Sequence, residues 1–207
     1  MKLYLSSMDI PNTSALVGLI EKPLSHCRMA LITNAKDYYN ERLRAYKIRE
    51  GIARLSVHGF AIDEIDLRNF HNRSDELKNE LSSYDIIWAY GGNTHCLRDE
   101  MHQSGFDTII RDLLEKGIVY GGESAGALVA GTSIKGFQHY DIPEAAENII
   151  WDGLGLIDKY VVPHIDSPVY SDIMPEIIAS NADNVDFIPI NDNQALLVDG
   201  PSLRIVE

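Results

Sequence analysis

Ser124 stands among small residues in Gly122-Glu123-Ser124-Ala125-Gly126, directly after the apolar run Gly117-Ile118-Val119-Tyr120 and directly before the helix-like stretch Ala127-Leu128-Val129-Ala130. A serine on a sharp strand-to-helix turn has the geometry of a nucleophile elbow, which lifts its hydroxyl clear of a sheet. Small neighbours permit the strained turn, and the N–H groups of the new helix point toward whatever the hydroxyl attacks. The chemistry expected is acyl transfer by a serine hydrolase. The same five residues also occur as a packing turn, so the reading requires a base and an oxyanion site elsewhere in the chain.

A serine hydroxyl is a weak nucleophile until a histidine takes its proton and a carboxylate orients that histidine. Of the seven histidines, His164 ends the run Tyr160-Val161-Val162-Pro163, a strand end that places it on the rim expected for Ser124. His139 lies in a polar loop, His95 follows a glycine turn, and His26, His58, His71 and His102 sit in polar or helical contexts. Two aspartates compete to orient the base: Asp141, in the loop after the elbow helix, and Asp199, at a turn near the C-terminus. Asp166, two positions after His164, reads as the exit of the chain. For the oxyanion the expected donors are the N–H of Ala125, just after the nucleophile, and the N–H of Gly92 in Ala89-Tyr90-Gly91-Gly92-Asn93-Thr94.

These residues need a scaffold that carries them to one edge. Lys2 to Leu5, Arg28 to Thr33, Phe60 to Leu67, Asp85 to Tyr90 and Gly117 to Tyr120 are short apolar runs of the kind buried strands show. Helix-like stretches alternate with them. The clearest is Asp37 to Val57, with apolar or aromatic residues at Tyr38, Leu43, Ala45, Tyr46, Ile48, Ile52 and Leu55. This alternation implies right-handed crossovers and an α/β fold, a mostly parallel sheet with helices on both faces. Ligands of such sheets bind beyond the carboxyl ends of the strands, where Asn34, Gly91 to Asn93 and Gly122 to Ser124 fall. In the last third, Leu154 to Val162 reads as a strand and Pro175 to Ala182 as a helix. Asp186 to Ile190, Gln194 to Val198 and Leu203 to Val206 read as short strands, with a tight turn at Asp199-Gly200.

Composition narrows the function further. A chain of 207 residues is expected to form one domain over positions 1–207, and its 18 Lys and Arg against 31 Asp and Glu give a net charge of −13. That charge argues against nucleic acid and anionic membranes as partners. Cys27 and Cys96 are too few for a disulfide framework and lack metal-site or redox spacing, and the triad chemistry calls for no metal or organic cofactor. The opening MKLYLSSMDIPNTS has no apolar run of signal-peptide length, and no stretch of about 18 apolar residues suggests a membrane span, so a cytoplasmic protein is expected.

GGNTHCLRDEM, GGESAGALVAG and VVPHIDS, in this order and at these separations, resemble the dipeptidase E family of serine peptidases, which includes aspartyl dipeptidase and is related to cyanophycinase. The resemblance runs from about Ile86 to His164. It implies a three-layer α/β/α sandwich like that of class I glutamine amidotransferases, with Ser124 in place of an elbow cysteine. It also implies Ser124 as nucleophile, His164 as general base and then acid, and Gly92 with Ala125 as oxyanion donors. Asp141-Ile142-Pro143 matches a family aspartate before a proline, and Asp199-Gly200 matches an acidic residue before a glycine near the C-terminus, so both carboxylates stay open. The expected partner is a short peptide, the expected assembly a monomer or homodimer. An esterase or amidase with the same triad, or an inactive small-molecule binding protein of this fold, are the alternatives.

One departure bears on specificity. Aspartyl dipeptidases carry a Gly-Glu-Thr-Arg-like motif after the histidine, whose arginine suits an acidic residue at the substrate N-terminus. Here IDSPVYSDIMPEIIAS holds no arginine or lysine, so the preference for an N-terminal Asp is not carried over.

Overall fold

The computed structural model describes residues 1–137, 140–180, 184 and 186–207. In chain order the elements are β1 (Lys2–Ser6), α1 (Thr13–Ile20), β2 (Arg28–Ile32), α2 (Glu41–Ser56), β3 (Ala61–Ile65), α3 (Ser74–Leu81), β4 (Ile86–Ala89), α4 (Thr94–Gln103), α5 (Phe106–Glu115), β5 (Val119–Glu123), α6 (Ala125–Leu128), β6 (Tyr160–Val162), α7 (Met174–Ser180), β7 (Phe187–Pro189), β8 (Ala195–Asp199) and β9 (Ser202–Val206). The main sheet runs β3-β2-β4-β5-β1-β8-β9. Its first five strands are parallel, so the carboxyl ends of β1, β2, β4 and β5 share one rim. β8 and β9 complete it as an antiparallel hairpin.

Alternation along the strands divides the core. Tyr4, Met29, Leu31, Trp88 and Leu197 face a layer containing Leu16 and Leu19 of α1 and Leu55 of α2. Leu3, Leu5, Ile32, Ile87, Tyr120 and Leu196 face the opposite layer, built on Leu77 and Leu81 of α3, Leu97 and Met101 of α4 and Ile110 and Leu113 of α5. Successive side chains of a strand point to opposite faces, so continuous apolar runs are what a sheet covered on both sides requires. The result is a three-layer α/β/α sandwich with a mostly parallel sheet, as expected.

Three local expectations shift. The helix over Asp37 to Val57 begins at Glu41, capped by the Asn40 side chain, and buries Ile48, Gly51 and Leu55, while Leu43 and Tyr46 face solvent. The strand over Leu154 to Val162 shortens to β6, because Gly155 takes a positive φ of 59° and the N–H groups of Leu154 and Leu156 donate to Val129 and Ala130. The helix over Pro175 to Ala182 is observed as α7; Ala182 lies outside the described residues. Among the described residues no helix is long and apolar enough to cross a membrane.

The small second sheet matters most for the site. β6 and β7 pair in parallel with Val162 opposite Pro189, so the residues that follow each strand emerge side by side. Those residues are His164 on one and Asn191-Asp192 on the other. The pairing is extended when Ile190 N–H donates to the Val162 carbonyl at 2.9 Å.

Candidate active site

β5 ends at Glu123, and Ser124 then takes φ 53° and ψ −111° before α6 begins at Ala125. A positive φ is costly for a residue with a side chain and persists only where the surroundings enforce it. Here they do. A Cβ on Gly122 would lie 2.4 Å from the Gly126 carbonyl oxygen, and one on Gly126 would lie 2.1 Å from that of Ala89. The Tyr120 hydroxyl also donates to the Gly126 carbonyl at 2.8 Å. The small residues of the motif are thus demanded by contacts between β4, β5 and the first turn of α6.

His164 follows β6 and is 5% exposed, also with positive φ, at 64°. Its Nε2 is 2.9 Å from Ser124 Oγ and its Nδ1 is 2.5 Å from Asp192 Oδ1. An ionised carboxylate can only accept, so Nδ1 carries the proton and Nε2 is left to accept from the serine hydroxyl. Ser7, buried just past the end of β1, accepts the His164 N–H at 2.8 Å and donates to Asp192 Oδ1 at 2.7 Å. The Tyr170 ring stacks on the imidazole with centroids 5.1 Å apart. Among the described histidines, His58, His71 and His102 instead pair with Asp9, Glu100 and Asp107; His139 lies outside the described residues.

The carboxylate at His164 is therefore neither of the two considered from sequence. Asp199 ends β8, which runs antiparallel to β1 so that Asp199 lies opposite Lys2 while Ala195 lies opposite Ser6. The strand reversal carries Asp199 to the far edge of the sheet and leaves Asp192, in the turn before β8, on the active rim. Asp141 accepts the Thr94 N–H at 2.8 Å and lines the cavity in front of Ser124 without bonding His164. Burial holds its carboxyl above the usual range. Asp166 is exposed. The sequence signal for Asp192 was the polar turn Asn191-Asp192-Asn193 ahead of a short apolar strand; Ser7, among ordinary residues at the end of β1, carried none.

The glycine loop after β4 closes the other side. A Cβ on Gly91 would lie 3.1 Å from Ser124 Cβ, and Gly92, at φ 144°, presses on Ala35 so closely that a Cβ would lie 2.3 Å from its carbonyl oxygen. That carbonyl accepts the Asn93 N–H at 2.7 Å, and the Asn93 side chain caps α4. Among the described residues the N–H groups of Gly92 and Ala125 meet no protein acceptor, so both are available to an oxygen bound near Ser124. The preceding residue, Glu123, is 5% exposed and takes the Arg54 guanidinium at 2.7 and 2.9 Å. The cavity in front of these groups measures about 590 Å³, room for a few residues of peptide.

A family model described as Peptidase family S51 matches residues 33–206. An uncharacterized peptidase of Pasteurella multocida is 31% identical over 141 residues, 68% of this chain and 67% of the relative. Another, from Listeria monocytogenes, is 28% identical over 156 residues, 75% of each chain. The crystal structure of a Listeria monocytogenes protein proposed as a Peptidase E superposes with a TM-score of 0.85 at 24% identity, covering 99% of this chain and 97% of the other.

Proposed function

This chain belongs to peptidase family S51 and is a serine peptidase acting on short peptides, and on that premise we propose that Ser124, His164 and Asp192 form its catalytic triad. The observation that carries this reading is the unbroken run from Asp192 Oδ1 to His164 Nδ1 at 2.5 Å and from His164 Nε2 to Ser124 Oγ at 2.9 Å.

In the reaction, Nε2 takes the hydroxyl proton as Oγ attacks the peptide carbonyl. The N–H groups of Gly92 and Ala125 receive the oxygen that becomes negative, and Asp192 stabilises the imidazolium. His164 then protonates the leaving amine, and water hydrolyses the acyl-enzyme by the reverse proton path. Ser7 and the Tyr170 ring hold the imidazole in plane. The segment after His164 contributes Ser167, Val169 and Tyr170 to the cavity and no cation.

A Ser124→Ala protein is expected to lose about five to six orders of magnitude in turnover on short peptides. A fluorophosphonate should label Ser124 in the folded wild-type protein. Near-normal hydrolysis by the variant, or no labelling of the wild type, overturns the assignment. Comparing dipeptides with small esters separates peptidase from esterase use of the same atoms.

A further inference from the structure

Lys36 ends the short 3-10 turn Asn34–Lys36, directly after the Ala35 carbonyl on which the Gly92 loop rests. Its ammonium lies over the Tyr90 ring, 4.5 Å from the centroid, and lines the same cavity as Ser124. The ring is seated against α2 at Gly51, where a Cβ would come within 2.3 Å of Tyr90 Cζ. Gly51 therefore keeps Tyr90, and with it the lysine, in place.

Except for Asp141, which accepts the Thr94 N–H across the cavity, the charges around Lys36 are already committed to one another. Both Glu123 oxygens are held by Arg54, whose other nitrogen is 3.2 Å from Asp9. Glu50 pairs with Lys47 at 2.9 Å. Among the described residues the Lys36 ammonium has no hydrogen-bond or ion-pair partner. Burial lowers its pKa to about 8, as expected of a cation partly stripped of water whose nearby carboxylates, Glu123 and Glu50, act on it only at a distance. A desolvated cation facing a peptide-sized cavity is stabilised when the ligand brings the anion.

We propose that Lys36 determines specificity by pairing with a free carboxylate of the peptide substrate, supplying from beside the glycine loop the cation that the segment after His164 lacks. The inference rests on Ser124 being the nucleophile in this cavity. Two parts of a peptide carry such a group: an acidic side chain on the acyl residue, or the terminal carboxylate of the leaving residue.

Four peptides separate them: Asp-Leu, Asn-Leu and the C-terminal amide of each. Their binding is measured calorimetrically on Ser124→Ala protein with and without Lys36→Met, and their hydrolysis on wild type and Lys36→Met. The expected result is a loss of roughly 10- to 100-fold in affinity and in kcat/KM, the size of one hydrogen bond between charged groups, on the peptides bearing the recognised carboxylate. That loss exceeds the loss on their neutral counterparts at least about tenfold, and Lys36→Arg restores most of it. A loss that follows Asp over Asn assigns the acyl side chain; one that follows acid over amide assigns the terminus. Equal losses on all four, or none, overturn the proposal. Because binding is read on protein without the hydroxyl, a wild type that neither hydrolyses nor labels would sink the Ser124 assignment while Lys36 is still judged by affinity.

Discussion

Asp192 Oδ1 stands 2.5 Å from His164 Nδ1 across 28 residues of chain, brought there by the parallel pairing of β6 with β7 and released into an antiparallel strand immediately afterwards. The carboxylate keeps the imidazole in the tautomer whose Nε2 can accept. Replacing it with Asn removes that control, since an amide can donate to Nδ1 and turn the ring's proton toward Ser124. Asp192→Asn is expected to lower kcat by about 10⁴-fold, measured by steady-state hydrolysis of a short peptide. Asp199→Asn, at the far end of β8, should change kcat by no more than about twofold. A loss from Asp199→Asn rivalling that from Asp192→Asn would reject the placement.

Ser7 makes a second test of the same assembly. Its hydroxyl accepts the His164 N–H at 2.8 Å and donates to Asp192 at 2.7 Å, inside a site where Ser7 is fully buried. Ser7→Ala leaves a buried N–H without a partner at a residue already held at φ 64°, a cost of about 1–3 kcal/mol in stability. Urea denaturation should read that loss. The rate of fluorophosphonate labelling should fall about five- to tenfold, since one hydrogen bond orienting the carboxylate is gone. Unchanged labelling would mean that His164 is positioned without Ser7.

What the sequence made legible follows from where each signal is stored. β2, β4 and β5 are buried on both faces, so their apolar runs announce them, and the elbow at Ser124 needs only local small residues to be seen. His164 could be placed on the rim because a strand-like run ends beside it. Asp192 could not, because the polar turn Asn191-Asp192-Asn193 shows only a turn, while its position depends on β7 pairing with β6 and β8 with β1, long-range pairings the turn itself does not encode. Asp199 stands out in the sequence for the converse reason: an Asp-Gly turn is conspicuous, while the direction in which its strand enters the sheet is not. The shortening of Leu154 to Val162 has the same origin, since its first residues give their N–H groups to Val129 and Ala130, partners far away in sequence.

Gly126 tests whether the elbow is held by backbone contact. Its missing Cβ would lie 2.1 Å from the Ala89 carbonyl oxygen, and neither β4 nor the first turn of α6 can retreat without disturbing the core that contains Ala89, Ala125 and Ala127. Gly126→Ala should destabilise the protein by about 1–3 kcal/mol or more and suppress Ser124 labelling, because α6 moves with Ser124. A calorimetric scan that finds the wild-type melting temperature, with labelling intact, would show that the turn tolerates a side chain.

Lys36 gives activity a pH dependence that depends on the substrate. Its pKa is lowered by burial to about 8, with Glu123 and Glu50 raising it and Lys47 and Arg54 lowering it further; Asp141 also lies within its field, and the Tyr90 ring faces it. The free enzyme therefore carries the ammonium below about pH 8 and loses it above, while a peptide carboxylate stays charged throughout. The ratio of kcat/KM for a carboxylate-bearing peptide to that for its neutral counterpart should be high at pH 7 and fall as pH rises through about 8. Taking the ratio cancels ionisations common to both substrates. In Lys36→Arg the ratio should stay level to pH 10, because a guanidinium keeps its proton, and in Lys36→Met it should be low and flat. A wild-type ratio that does not change between pH 7 and 10 would exclude Lys36 as the group that meets the carboxylate.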